Sequence, residues 1–265
     1  MDFSKLAMMR CTVDDGLARI VFTNAERGNP IDGPFSAELR ALVSHLAGRE
    51  DVRAVLITAE GRFFSVGGDI RGFAQSREGV PDIVRTWTAD LHSAIARLMR
   101  MKAPVVVAAQ GNVAGGAVSL AAAADIVYAA DTVSFTAAFP ALGFSADSGS
   151  TVTLSQRMGF SRAKRFLLMS ETLKAPEAWE AGLVDYITAA ETLAGEAEAT
   201  ARRFASGATL AYGGIKQTMV RARSQGLESQ MEDEAQTLAA IAGSDDAWEG
   251  ISAFMEKRKP KFRGR

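Results

Sequence analysis

Residues 104–126, PVVVAAQGNVAGGAVSLAAAADI, pass from a compact apolar run through a glycine turn into a stretch of small residues with helical character, and residues 63–73, FFSVGGDIRGF, follow the same order. A short apolar run bounded by turn residues is the pattern of a buried strand, and a helix beginning directly after the turn covers it. This order, used twice, confines the chain to an α/β architecture.

The flanking sequence agrees. MMRCTVDDGLARIVFT (8–23) alternates β-formers around Asp15-Gly16, which predicts an antiparallel hairpin. Apolar spacing predicts helices over 34–48 and 82–101, while RAVLITAE (53–60) and ADIVYAA (124–130) read as strands. The alternation of strand and helix ends near residue 135. From residue 149 the pattern is nearly all helical, interrupted only by LVDYI (183–187). No repeat or low-complexity linker divides the chain, so we expect an α/β core over 1–200 and a helical extension over 201–265. An extension without a core of its own is expected to pack against another copy.

Thirty Lys and Arg against 31 Asp and Glu leave a net charge of −1, which excludes an overall field for nucleic acid or an anionic membrane surface. The only cysteine, Cys11, excludes an internal disulfide framework and an all-cysteine metal site, and its strand-like setting predicts an inert, buried thiol. His45 and His92 fall in predicted helices without a partner at metal spacing, so no metal is expected. Trp87, Trp179 and Trp248 also lie in helix-like stretches, where core or interface packing is the expectation. The ending EKRKPKFRGR reads as a solvated tail or a local phosphate contact. No stretch has the order of a signal peptide or the length of a membrane span, and a cytoplasmic location is expected.

Neither glycine turn matches a phosphate-binding signature. Two backbone N–H groups converging from separate turns suit a different task, the stabilisation of a carbonyl oxygen as it gains negative charge. At this point the chain resembles the crotonase (enoyl-CoA hydratase/isomerase) superfamily. TNAERGNPID (23–32) is similar to that family's N-R-P-x-x-x-N-A, FFSVGGDI to its F-x-A-G-A-D-I, and GNVAGGAVSLAAAADIVYA to its G-x-A-x-G-G-G-x-E-L-A-x-x-C-D. EAWEAGLVD (177–185) and AFMEKRKPKF (253–262) match its later segments.

The resemblance implies a spiral of β-β-α turns, a homotrimer or dimer of trimers, and an acyl-CoA thioester substrate. Coenzyme A would enter as part of that substrate, with no separate cofactor. By position, Gly68 and Gly116, preceded by Gly67 and Gly115, would supply the N–H pair. The coenzyme A contacts would gather around the first turn, through Asp69 and Ile70, with help from Arg27 and Lys257. Asp69 and Asp125 also match aspartates that are usually structural in the family.

The family's hydratases carry two glutamates where this chain has Ser119 and Phe139, and neither replacement can act as an unaided base near neutral pH. Eight residues beyond Phe139 stands Asp147, where several isomerase and dehalogenase branches keep an aspartate facing the acyl chain. If buried among Phe139, Leu142 and Phe144, its carboxyl is expected to have a raised pKa; the plain alternative is a helix cap before SGSTVTLSQRMG. The expected activity is enoyl-CoA double-bond isomerisation with Asp147 as proton shuttle. A weak or atypical hydratase (a lyase), or a silent acyl-CoA-binding scaffold, are the alternatives. A dehalogenase would need an aromatic pocket, which spacing alone does not identify.

Overall fold

The computed structural model describes residues 1–75 and 77–265. The hairpin of β1 (Met9–Asp14) and β2 (Leu17–Phe22) turns at Asp15 (φ 46°) and Gly16 (φ 81°), both left-handed as a two-residue type I′ turn requires. After it come α1 (Gly33–Ala47), β3 (Ala54–Ala59), the single turn α2 (Ile70–Phe73) and α3 (Val80–Arg100). Then follow β4 (Val105–Ala109), β5 (Asn112–Ala114), α4 (Gly116–Ala122), β6 (Ile126–Ala130) and β7 (Ser134–Thr136).

β1 to β4, β6 and the late strand β9 (Tyr186–Thr188) form a six-stranded sheet in the order β1-β2-β3-β4-β6-β9, parallel from β2 onward. β5 and β7 pair in parallel, and β8 (Thr172–Lys174) joins β7 antiparallel, making a second sheet of three strands. Short bends carry the chain from β4 into β5 and from β6 into β7, and a helix follows each crossing. This is the expected spiral of β-β-α turns.

Alternation along each strand divides the interior in two. Val55 and Ile57 of β3 and Val105, Val107 and Ala109 of β4 face the larger core, with α1 and α3 over it. Ala54, Leu56, Val106 and Ala108 face the opposite way, onto α8 (Leu193–Ala205), as a side-chain period of two dictates. α8 meets them with Leu193, Ala197, Ala201 and Ala205, a stripe at four-residue spacing whose small side chains let the helix lie close to the sheet.

Between β7 and α8 lie α5 (Ser150–Met158), α6 (Phe160–Leu168), β8 and α7 (Ala175–Glu180). Two expectations need correction here. The second half has two strand interruptions, because β8 also forms, and a three-residue strand with both ends exposed carries no periodic signal. LVDYI contributes only β9, with Leu183 and Val184 buried in the preceding turn. The boundary drawn after residue 200 falls inside α8, which belongs to the sheet core. The extension therefore begins with α9 (Thr209–Arg221) and continues through α10 (Leu227–Ala242) and α11 (Asp245–Met255).

The basic tail is not a loose solvated strand. Buried Asp246 accepts the N–H groups of Arg263 and Gly264 at 2.6 and 2.7 Å, and Glu249 takes Lys261 N–H at 2.7 Å and pairs with Arg258. Among the described residues no helix is long and apolar enough to cross a membrane, and no group of three or more His, Cys, Asp or Glu is arranged to hold a metal ion. Cys11 is buried in β1, and burial pushes its thiol up to about 11.

α9 is fixed to the core by one buried cation. Lys216 Nζ donates to the carbonyls of Leu98 (3.1 Å) and Ala103 (3.0 Å) and to Asp125 Oδ2 (2.6 Å), which also accepts Val105 N–H. Burial pulls the Lys216 pKa down, and the Asp125 charge opposes that pull. Lys216→Met removes the cation and strands Asp125 and both carbonyls. It is expected to lower the unfolding free energy by about 3 kcal/mol, read from denaturant melts.

Candidate active site

The site begins as backbone pairing. Phe64 N–H reaches Gln110 O (2.9 Å), Ser65 N–H reaches Asn112 O (3.4 Å) and Ala114 N–H returns to Ser65 O (3.1 Å), so segments 64–68 and 110–116 run side by side. On the other flank Ile31 N–H donates to Gly67 O (2.8 Å) and Asp69 N–H to Ile31 O (3.0 Å). In this parallel bridge the N–H of the residue between them, Gly68, points away from Ile31. Gly67 N–H is used by Ser65 Oγ (3.2 Å) and Gly115 N–H by Thr136 O (3.0 Å). Among the described residues, the N–H groups of Gly68 and of Gly116, at the open first turn of α4, have no protein acceptor. Gly67 has φ 86°, and a Cβ there would stand 2.6 Å from Ala114 O. Only glycine lets the two turns approach this closely.

Asp147 sits beside the second turn. An ideal Cβ on Gly116 would lie 2.6 Å from Ser148 Oγ and 3.5 Å from Asp147 Oδ1, so the missing side chain is what lets the Ser148 hydroxyl, which bonds the carboxylate, approach. Three contacts hold its loop. Ser148 N–H donates to His92 Nε2 (2.9 Å) from α3, Ser150 Oγ donates to Asp147 O (2.5 Å), and the buried Ser119 Oγ of α4 meets Ser150 Oγ at 2.5 Å. The carboxylate takes a hydrogen bond from Ser148 Oγ (3.0 Å). It does not cap α5, whose cap position is Gly149 with no side-chain bond. The capping alternative for Asp147 is therefore excluded by geometry. Burial raises its pKa above the ordinary carboxylate value, against the opposing pull of the Ser148 hydroxyl and of His92.

Gly67, Gly68, Ile70, Gly115, Gly116, Phe139 and Asp147 line one cavity of about 440 Å³. Asp147 is the sole carboxylate among its described lining residues. Three other predicted site residues stand outside it. Asp69 is bonded to Arg27 (2.6 Å), which also lies 3.6 Å from Asp32, so Arg27 is tied down one residue from Gly68. Lys257 is exposed beyond α11 and does not reach the cavity. The Ser119 hydroxyl, at the hydratase glutamate position, is engaged beneath the loop and is absent from the cavity wall.

Sequence reasoning missed several residues that matter here. Trp87, expected in core or interface packing, lines the cavity with Phe73 and Phe144, whereas Trp179 and Trp248 are exposed. His92 is a loop anchor, and Ser36, buried at the first turn of α1 against the same cavity, has a hydroxyl without a partner. The hydroxyl run in DSGS was the available signal for the loop. Nothing in the pattern of 80–100 signals which face of α3 lines a cavity.

Three comparisons show what the chain is similar to. The family model described as enoyl-CoA hydratase/isomerase matches residues 12–265. A trans-2-decenoyl-[acyl-carrier-protein] isomerase of Streptococcus mutans is 31% identical, with 100% of each chain covered. A 1,2-epoxyphenylacetyl-CoA isomerase of Escherichia coli is 32% identical over 96% of this chain and 97% of its own. Among solved structures, an enoyl-CoA hydratase from Polaromonas sp. JS666 superposes with a TM-score of 0.90 at 27% identity, covering 96% of this chain and 99% of that one. With its fold, its paired glycine turns and these matches, the chain belongs to the enoyl-CoA hydratase/isomerase family of the crotonase superfamily.

Proposed function

We propose that the protein is an acyl-CoA double-bond isomerase that works through a thioester enolate. The thioester oxygen is held by the N–H groups of Gly68 and Gly116, and Asp147 takes a proton from the α- or γ-carbon. The electron pair shifts toward the oxygen, the double bond moves, and the same carboxylate returns its proton at the other carbon. Nothing else is consumed, so one base suffices. Two fixed donors aimed at the developing charge supply the main stabilisation, and each is worth about 3 kcal/mol of barrier in comparable sites.

The observation that carries this reading is a single buried carboxylate next to an unused N–H pair. A hydratase of this family grips its water between two acids, whereas here one position is a serine engaged with Ser150 and the other is Phe139. The two isomerase relatives support the same choice. Coenzyme A is read as part of the substrate, with Arg27 beside the first turn as a contact. Lys257 would serve only from a neighbouring subunit, because it lies away from the cavity of its own chain.

Asp147→Asn is the direct test. It keeps size and the Ser148 hydrogen bond but removes the base, and isomerisation of enoyl-CoA substrates should fall about 10²–10⁴-fold while thioester binding persists. Near-normal turnover would end the assignment. The pH profile gives a second reading. Activity needs the ionised carboxylate, and burial raises its pKa, so activity should be lost on acidification at a higher pH than an exposed aspartate would require.

Gly116→Ala tests the arrangement while leaving the Gly116 N–H and the Asp147 carboxylate chemically in place. The added methyl group would stand 2.6 Å from Ser148 Oγ and so displace the hydroxyl that bonds Asp147, and kcat should drop about tenfold or more with the melting temperature little changed. For self-association, the α9–α11 face exposes Met219 (67%), Met231 (60%), Leu238 (69%) and Phe254 (82%), an apolar area suited to a protein partner. Light scattering is expected to give a trimer or a dimer of trimers, and Phe254→Glu should shift it to smaller species.

A further inference from the structure

Part of the cavity wall, beginning beside Gly68, is built from rings. Phe73 of α2 stacks on Trp87 of α3 with centroids 5.1 Å apart and planes 29° from parallel. Phe144, from the loop that carries Asp147, meets Phe73 edge-on at 5.8 Å and 81°. All three line the cavity with the Gly68 and Gly116 turns and Asp147.

The indole is held at both ends. A Cβ on Gly33 would stand 2.5 Å from Trp87 Nε1, and one on Gly72 would stand 3.0 Å from its Cη2. The backbones of α1 and α2 therefore pass close to the two ends of the ring, and glycine at both positions leaves the indole its space. Phe144 and Leu142, by contrast, are 39% and 48% exposed. They leave apolar surface uncovered on the cavity side that the loop contributes.

We infer that the acyl group of the substrate carries a planar ring seated against the Trp87–Phe73–Phe144 corner, in preference to a straight chain. This rests on the thioester reading given above and adds the class of acyl group. A ring in this corner can stack on one aromatic face while it meets the edge of another, and such pairs add to the gain from burial alone. A flexible chain of equal carbon count gains only dispersion there and loses rotamer freedom.

The test is binding without turnover. Phenylacetyl-CoA and octanoyl-CoA have the same number of acyl carbons and no double bond to move. Their affinities for the full chain can be measured by calorimetry, with competition as a check. Phenylacetyl-CoA should bind about tenfold more tightly. Trp87→Leu and Phe144→Leu keep the apolar lining but remove a ring, and each should reduce that preference to about threefold or less. Phe144→Leu lies in a partly exposed loop, so it preserves the test if the Trp87 variant folds poorly.

Octanoyl-CoA bound as tightly as phenylacetyl-CoA, or an unchanged preference in the Phe144 variant, overturns the ring assignment and leaves the thioester site standing. Binding of neither thioester removes the acyl-CoA reading and the ring assignment together.

Discussion

The site depends on one piece of backbone pairing, the parallel bridge that sets segment 64–68 beside 110–116. Hydrogen bonds on both flanks use the N–H and C=O groups around the two glycine turns; the parallel bridge to Ile31 leaves the Gly68 N–H outside the ladder, and the first turn of α4 leaves that of Gly116 without a partner among the described residues. Both glycines line the cavity, and the proposed function uses their N–H groups as its donors. A pair of donors held by main-chain bonds cannot swing to follow solvent, which is what a site that must meet a developing negative charge requires. Backbone donors also place few demands on side chains, so the rest of the pocket is left open to variation.

That freedom is visible at residue 119. A side chain at this point of α4 reaches the base of the loop before α5, and in this chain it is a hydroxyl that bonds Ser150, which in turn holds the Asp147 carbonyl. A position used elsewhere in the family for proton transfer here serves to place the loop that carries the carboxylate. The consequence is electrostatic as well as geometric. With no second carboxylate among the described lining residues, Asp147 feels burial without a like charge beside it, and burial alone raises its pKa. His92 completes the loop's support by accepting Ser148 N–H.

The helical extension follows another logic. α8 is consumed by the sheet, whereas α9 is tied back through Lys216, and α10 and α11 carry apolar side chains with no cover in a single chain. The final residues fold onto α11 through Asp246 and Glu249. The basic ending is thus part of a docked structure, its charges partly neutralised by acids that precede it.

Local pattern alone was enough to establish the hairpin at Asp15-Gly16, the buried strands β3, β4 and β6, the helices α1 and α3, and the two glycine turns. In each case neighbouring residues carry the whole physical demand, whether positive φ, two-faced burial or helical spacing. Asp147 stood out only through the family resemblance, as an aspartate in a chain that lacks both glutamates of the family's hydratases. Tertiary structure decided everything that depends on residues distant in sequence. It paired β8 with β7, kept α8 with the core, turned Trp87 and Phe73 into a cavity wall, tied Asp147 through Ser150 to Ser119, and left Lys257 away from the cavity. Such contacts join segments tens of residues apart, and a side chain's burial or partner is set by what the fold brings against it, which no local period encodes.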